Sequence, residues 1–426
     1  MTVLQRLFNF LSSYALATAL LVLLFVYTLL GTLEQVEHGL YLSQLKYFES
    51  VVITQIDLGA CLRALNFPTG DMKLPVLLPG GYTVMALFCL NIIVGGVIRI
   101  RKKPRTIGVV ISHFSMAFMI LAGGVSMHTK IEGNLSLLEG QTDDQFVSVD
   151  SRVVEIEQVE PAAAGGKRKV LVISDSQFSD LAPDGSSGKA RQFTSAELPF
   201  DLTLQNYAPN AQIKRDDGAD GRRDVVDGYF IQALPKDPEH GQNMPALHAI
   251  AKNKKTGETQ QGILWLRAAA PWTVKMEEKT YTIDLTRRSW VLPFAVKLEK
   301  ATREFHPGTQ RPRKFESIVT KLQDGKEERK EIKMNEPLRT NGFTLFQHQM
   351  MSGEDLKRTE NASVFQVVSN PADQWPLWSC IAVAFGLLLH FSMMLARNVG
   401  WNEWLVAGIV VGVVSAYFIL ALVKMY

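Results

Sequence analysis

The chain has 426 residues, with 45 Lys and Arg against 42 Asp and Glu for a formal net charge of +3, too balanced for a polyanion-binding surface. Its 20% charged and 47% hydrophobic residues average two unlike parts, a set of charge-free apolar runs and one long polar stretch. Nucleic-acid binding and a uniformly soluble chain are both excluded.

The charge-free runs lie at 7–33, 74–98, 106–129, 374–396 and 404–423. A hydrocarbon layer of roughly 30 Å takes about 20 apolar residues per helix, so each run predicts one membrane span. The expected fold is therefore a membrane protein of five transmembrane α-helices, with a large, mainly β domain between the third and fourth. Its parts are an N-terminal membrane region 1–129 with a loop 34–73, the β domain 130–373, and a C-terminal membrane region 374–426.

The first run passes through Gly31-Thr32-Leu33-Glu34 with no small-residue cleavage motif, which predicts a retained anchor. In the following loop, Gln35, Val36, Leu40, Leu42, Leu45, Phe48, Val51 and Val52 approach helical spacing and predict short helices lying on the membrane or over the exported domain. Pro75, Pro79, Gly80 and Gly81 predict a tight turn into the second span. The loop 99–105 holds five cations and no acid, so the positive-inside rule puts it and the N-terminus in the cytoplasm and the β domain outside.

Within the β domain, 145–157, 169–173, 280–285 and 294–299 alternate apolar and polar residues, the period of half-buried strands. The stretches 161–166, 182–188 and 216–221 have loop composition, and Asp216, Asp217, Asp220 and Asp224 lack the spacing of a calcium loop. Cys61, Cys89 and Cys380 form no C-x-x-C, so neither a disulfide framework nor a thiol-exchange motif is present. The chain also lacks a phosphate-binding Gly-rich loop, a G-x-S-x-G elbow and a C-x-x-C-H haem attachment site.

The histidines carry the candidate chemistry. An ionisable group inside a membrane span points to function. His113 lies eight residues past Arg105, and His390 seven before Arg397 on an antiparallel span, about 12 and 10 Å from the same membrane face. Two imidazoles in one layer are what a bis-histidine haem needs, and Gly95-Gly96 and Gly123-Gly124 leave room for a macrocycle or a neighbouring helix. The alternative is that each imidazole only hydrogen-bonds an adjacent helix. His128, at the far end of the third span, and His38, just past the first, could serve a second haem site. His240, His248, His306 and His348 show no metal spacing and read as surface or packing residues.

In order along the chain, Leu11-Ser-Ser13, Gly31-Thr32, Gln35, Asn91-Ile-Ile-Val-Gly-Gly96, Ser112-His-Phe-Ser115, Gly123-Gly124 and Glu139-Gly140 resemble the ResB family of cytochrome c biogenesis. So do Phe294-Ala-Val-Lys-Leu298, Pro307-Gly308, Pro312, Phe315-Glu-Ser317, Asn335-Glu-Pro-Leu338, Gly342-Phe-Thr-Leu-Phe-Gln347 and Asn370-Pro371. The resemblance implies a bacterial inner-membrane subunit with a periplasmic domain, part of the system that exports haem and attaches it covalently to apocytochrome c. It would work with a CcsA-type partner and thiol-reducing proteins acting on the apocytochrome, as a non-catalytic or co-catalytic subunit. The family's third-span haem ligand maps onto His113; His390 has no family counterpart, and the fifth span departs from the usual four. Two other readings stay open, a redox-complex subunit with a permanent b-type haem on His113 and His390, and a haem-free scaffold.

Overall fold

The computed structural model describes residues 2–159, 170–181, 190–216, 225–309, 312–353 and 357–425. The loops expected at 161–166 and 182–188, and the acidic loop beyond Asp216, lie outside the described residues. The chain divides into two units, residues 1–130 with 370–426 and residues 131–369.

The first unit is helical. α1 (Val3–Leu11) is amphipathic and stops at Ser12; Ser13 then caps α2 (Tyr14–His38), its hydroxyl accepting from the Leu16 N–H at 3.2 Å. The break is held from the second span, where the Asn91 amide donates to the carbonyls of Leu11 (2.7 Å) and Ser13 (3.1 Å) and Arg99 donates to the Ser12 hydroxyl (2.8 Å). The first span therefore begins at Tyr14 rather than at residue 7, because two serines compete with the helix for their own backbone.

After α2 come α3 (Leu40–Tyr47), strand β1 (Val52–Asp57), α4 (Leu58–Ala64) and strand β2 (Lys73–Pro79), which pairs antiparallel with β1. Val51 and Val52 thus lead into a strand, not a surface helix. Residues 74–79, read as the start of the second span, are strand too: Pro75 and Pro79 are tolerated at an edge but not inside a helix. That span is α5 (Gly81–Asn91), continued by a π-helical stretch, Ile92–Ile98. α6 (Ile107–Thr129) and α7 (Trp375–Val399) match their predicted runs within a few residues, and α8 (Glu403–Met425) follows.

Four helices, Tyr14–His38, Gly81–Ile98, Pro104–Thr129 and Trp375–Val399, are long and apolar enough to cross a membrane. The fifth contributes a shorter apolar stretch, Glu403–Tyr417. The chain is a membrane protein with a β domain.

The second unit holds β3 (Ile131–Leu138), β4 (Thr142–Val159), β5 (Val170–Ser174), β6 (Ala190–Phe193), β7 (Phe200–Ala208), β8 (Ala211–Arg215), β9 (Tyr229–Ala233), β10 (Ala246–Asn253) and β11 (Thr259–Trp265). They are followed by β12 (Trp272–Met276), β13 (Lys279–Phe305), β14 (Pro312–Gln323), β15 (Lys326–Lys333), β16 (Leu338–Thr340), β17 (Phe343–Met351) and β18 (Ala362–Ser369). The predicted strands at 280–285 and 294–299 are one strand, β13, bent where its pairing shifts between Val291 and Val296.

The large sheet runs β15-β14-β13-β4-β3-β18-β17-β16, with β12 and β5 pairing beside it. Ile332 of β15 and Leu338 of β16 enter one core with Phe146, Phe294 and Phe365, so the sheet curls until its two end strands share an interior. A second core, around Phe178, Phe200, Leu204 and Ile283, joins β13 and β4 to the smaller sheet β11-β10-β7-β6. Each fully buried Leu or Phe contributes about 2 kcal/mol of transfer free energy, so these two interiors hold the unit without a disulfide.

Candidate functional site

His113 sits in the second turn of α6. Its Nδ1 lies 2.8 Å from the Val109 carbonyl, one turn back. A carbonyl only accepts, so Nδ1 carries the proton and, in the neutral ring, Nε2 keeps its lone pair. Hydrogen bonds of this kind, from the ring nitrogen that does not bind the metal, orient a metal-ligating histidine. The ring lies against the π-helical stretch of the second span: a β-carbon on Gly96 would stand 2.1 Å from His113 Cδ2. Gly95 meets the Ser12 backbone in the same way, at 3.3 Å. The space expected at Gly95-Gly96 is thus filled by the imidazole and a neighbouring helix, whereas Gly123 and Gly124 have nothing within 4 Å of their missing side chains.

The backbone of His390 is not level with that of His113. A β-carbon on Gly108 would stand 2.5 Å from the Gly386 carbonyl and 3.0 Å from His390 Cβ, which sets the register of α6 against α7. His390 therefore lies beside Gly108, five residues or about 7.5 Å along α6 from His113. Arg105 reaches Glu403, at the start of α8, with Nε 2.6 Å from Oε1. The ring of His390 packs edge-on to Phe391, and its buried Nδ1 has no hydrogen-bond partner.

His128 stands fifteen residues from His113 on the same helix, stacked on Tyr82 at 5.9 Å between ring centres, while the Tyr82 hydroxyl donates to Met127 Sδ at 3.6 Å. The three candidates are thus not gathered in one place. His113 is held in the tautomer that leaves the Nε2 lone pair free. Among the described residues no cluster of three or more His, Cys, Asp or Glu could hold a separate metal ion.

A second polar cluster escaped the sequence reading. Glu34, buried to 1% exposure at the end of α2, accepts from Lys46 Nζ (2.6 Å), the Tyr47 hydroxyl (2.7 Å) and the Asp57 N–H (2.9 Å). Asp57 in turn caps α4 through the Ala60 N–H at 2.9 Å and meets His38 Nε2 at 3.0 Å. Burial works against the Asp57 charge, yet the Ala60 N–H and His38 hold its carboxyl below the usual range. Burial, then Glu34, pushes the Tyr47 phenol and the Cys61 thiol up. Cys61 is consequently a protonated, inert thiol at neutral pH. His38 is a partner of Asp57 here, and the one sign of it in the sequence was a lone acid, Glu34, ending an apolar run.

In the β domain, three residues quoted for the resemblance prove structural. Ser317 donates to Gln347 Oε1 (2.6 Å) and lies 2.9 Å from Ser363, itself bonded by Gln347 (2.7 Å). Glu139 accepts from the N–H groups of Ala301 (2.8 Å) and Asn361 (3.3 Å), tying the β3 exit to β13 and β18. Residues 273–360 match the ResB-like family. The ResB-like stretch runs from β12 through β17 and contains Ser317 and Gln347. It agrees with the family to which the whole-chain resemblance pointed. No curated protein matches the chain.

Proposed function

We propose that this chain is a ResB-like subunit of the bacterial inner-membrane system that exports haem and attaches it to apocytochrome c, with His113 as a transient haem ligand. The observation that carries the reading is the His113 ring inside a membrane helix, with its Nδ1–H committed to Val109 and its Nε2 left for iron. The ResB-like match supports it.

Haem is the cargo, and the chemistry it brings is axial ligation at iron and vinyl groups for thioether bonds. The chain's share is positioning: Val109 fixes the tautomer, Gly96 seats the ring, and the close approach at Gly108 and Gly386 fixes α6 against α7. In this reading the second axial ligand comes from a CcsA-type partner; the His113 ring lies against Gly96 of the second span, whereas His390 lies beside Gly108 at the contact of α6 with α7. The five cations of the loop 99–105 put that loop in the cytoplasm, α8 is a fifth span, and the β domain lies in the periplasm, where it meets the partner or the apocytochrome. Thiol-reducing proteins keep the apocytochrome cysteines available.

A second reading, a permanent b-type haem, rests on the unpartnered Nδ1 of His390, which a ligand or water has to satisfy. Coexpression of the chain with a CcsA-type partner separates the two. Under the transport reading haem bound to the chain falls as apocytochrome is supplied; under the second it stays constant.

A further inference from the structure

A cavity of about 240 Å³ lies between the last turns of α2 and the helix α3 that folds back on it. None of its lining residues is charged. Ser43 lines it, is 3% exposed, and its hydroxyl has no hydrogen-bond partner. Leaving a buried hydroxyl unpaired costs about 1–3 kcal/mol, and a polar ligand in the cavity toward which the Ser43 side chain rotates would recover it.

The other walls say what that ligand is. Thr28 and Thr32 spend their protons on the carbonyls of Leu24 (2.8 Å) and Thr28 (2.7 Å), which leaves their oxygens only as acceptors. Gln44, which donates to Glu49 at 3.1 Å, and Gln35 also line the cavity. Phe48 provides an aromatic wall. The nearest cation in sequence, Lys46, is held by Glu34 at 2.6 Å, so nothing here neutralises a phosphate. Leu29, Val36 and Leu40 are exposed on the same segment, an apolar rim for a tail.

We propose that this cavity binds the head group of a membrane-dissolved quinone. Such a ring is neutral and planar, accepts from Ser43 through a carbonyl when oxidised, donates to Gln35 or Gln44 through a hydroxyl when reduced, and carries an apolar tail. No electron transfer is part of the proposal.

The test is photolabelling of the full chain in phosphatidylcholine nanodiscs with a short-tailed azido-quinone, mapped by peptide mass spectrometry, beside a photoreactive phosphatidylcholine. Label is expected within residues 28–48, displaced by unlabelled quinone. Ser43→Ala should cut it about fivefold, the worth of one hydrogen bond. Gly31→Leu should abolish it, since a β-carbon there already stands 3.5 Å from the Tyr47 ring and 3.6 Å from Phe48, and the longer chain fills the cavity. Labelling that ignores both variants, or a lipid probe that labels equally and with the same sensitivity, overturns the proposal; should Gly31→Leu not fold, Ser43→Ala decides. The haem band is read on the same samples, so loss of the quinone site with an intact band leaves the haem reading standing.

Discussion

The imidazole of His113 occupies the space that a side chain on Gly96 would need, its Cδ2 lying 2.1 Å from the position of the missing β-carbon. A π-helical stretch at Ile92–Ile98 presents that glycine, and such stretches concentrate at functional sites. The pair links local backbone geometry in the second span to the orientation of the imidazole in the third.

Gly96→Val should therefore act like a ligand mutation while keeping the ligand. The backbone cannot accept a β-carbon there without moving the imidazole, so copurifying haem is expected to fall about tenfold, the loss typical of a disturbed ligand-orienting contact. Absorbance at the haem band per mole of protein reads this, with Gly95→Ala, whose β-carbon meets only a 3.3 Å contact, as the milder comparison.

Gly108→Leu tests the register of α6 and α7. Its β-carbon would meet the Gly386 carbonyl at 2.5 Å, and overpacking of this kind costs about 1–3 kcal/mol. A lower melting temperature in detergent is expected for this variant and not for Gly123→Leu, whose glycine faces open space.

Glu34→Ala should strip the charge partner from Lys46 and an acceptor from both Tyr47 and the Asp57 N–H. Breaking a buried ion pair from one side costs about 3–5 kcal/mol, and the part-exposed Lys46 places this case at the lower end. The measurement is limited proteolysis of the segment 39–72, which should become the first site cut.

In the β domain, Arg152 is buried and donates to His240 Nε2 at 2.8 Å, which requires a neutral imidazole. Burial, then the Arg152 charge, lowers the His240 pKa below its usual 6.5. A histidine held neutral contributes stability above the unfolded pKa and loses it as pH falls from about 6.5 through the lower folded value. Asp150, Asp175, Arg287 and Tyr207 surround the pair, and the raised Glu155 and Asp284 act in the opposite sense as they protonate. The comparison of wild type with His240→Gln isolates the histidine: the melting temperature of the wild type should fall more steeply between pH 7 and 5. Parallel curves would remove this role.

Charge boundaries made α6, α7 and α8 legible, since a run without charge has one plausible length in a membrane. They failed where an apolar run served two structures. Residues 74–79 are strand and 81–98 helix, and hydropathy does not separate them; Pro75 and Pro79 did carry that information. The break at Ser12 was visible as two serines but was settled by Asn91 and Arg99 from another helix, a partner no local pattern reveals. His113 stood out as a candidate because an imidazole in an apolar run is rare. The backbone register of His390 against it was not legible, because that register is set by the close approach of Gly108 to Gly386 and His390, which exists only in the folded chain. The Glu34 cluster and the Arg152–His240 pair were hidden for the same reason: their members are far apart in sequence and individually ordinary.

The most direct measurement is the reduced-minus-oxidised visible spectrum of the purified chain coexpressed with a CcsA-type partner, for wild type, His113→Ala and His390→Ala. The account predicts a b-type band in the wild type, lost in His113→Ala and retained in His390→Ala, because it takes one axial ligand from His113 and the other from the partner. A band that survives His113→Ala, or no band in any sample, contradicts it.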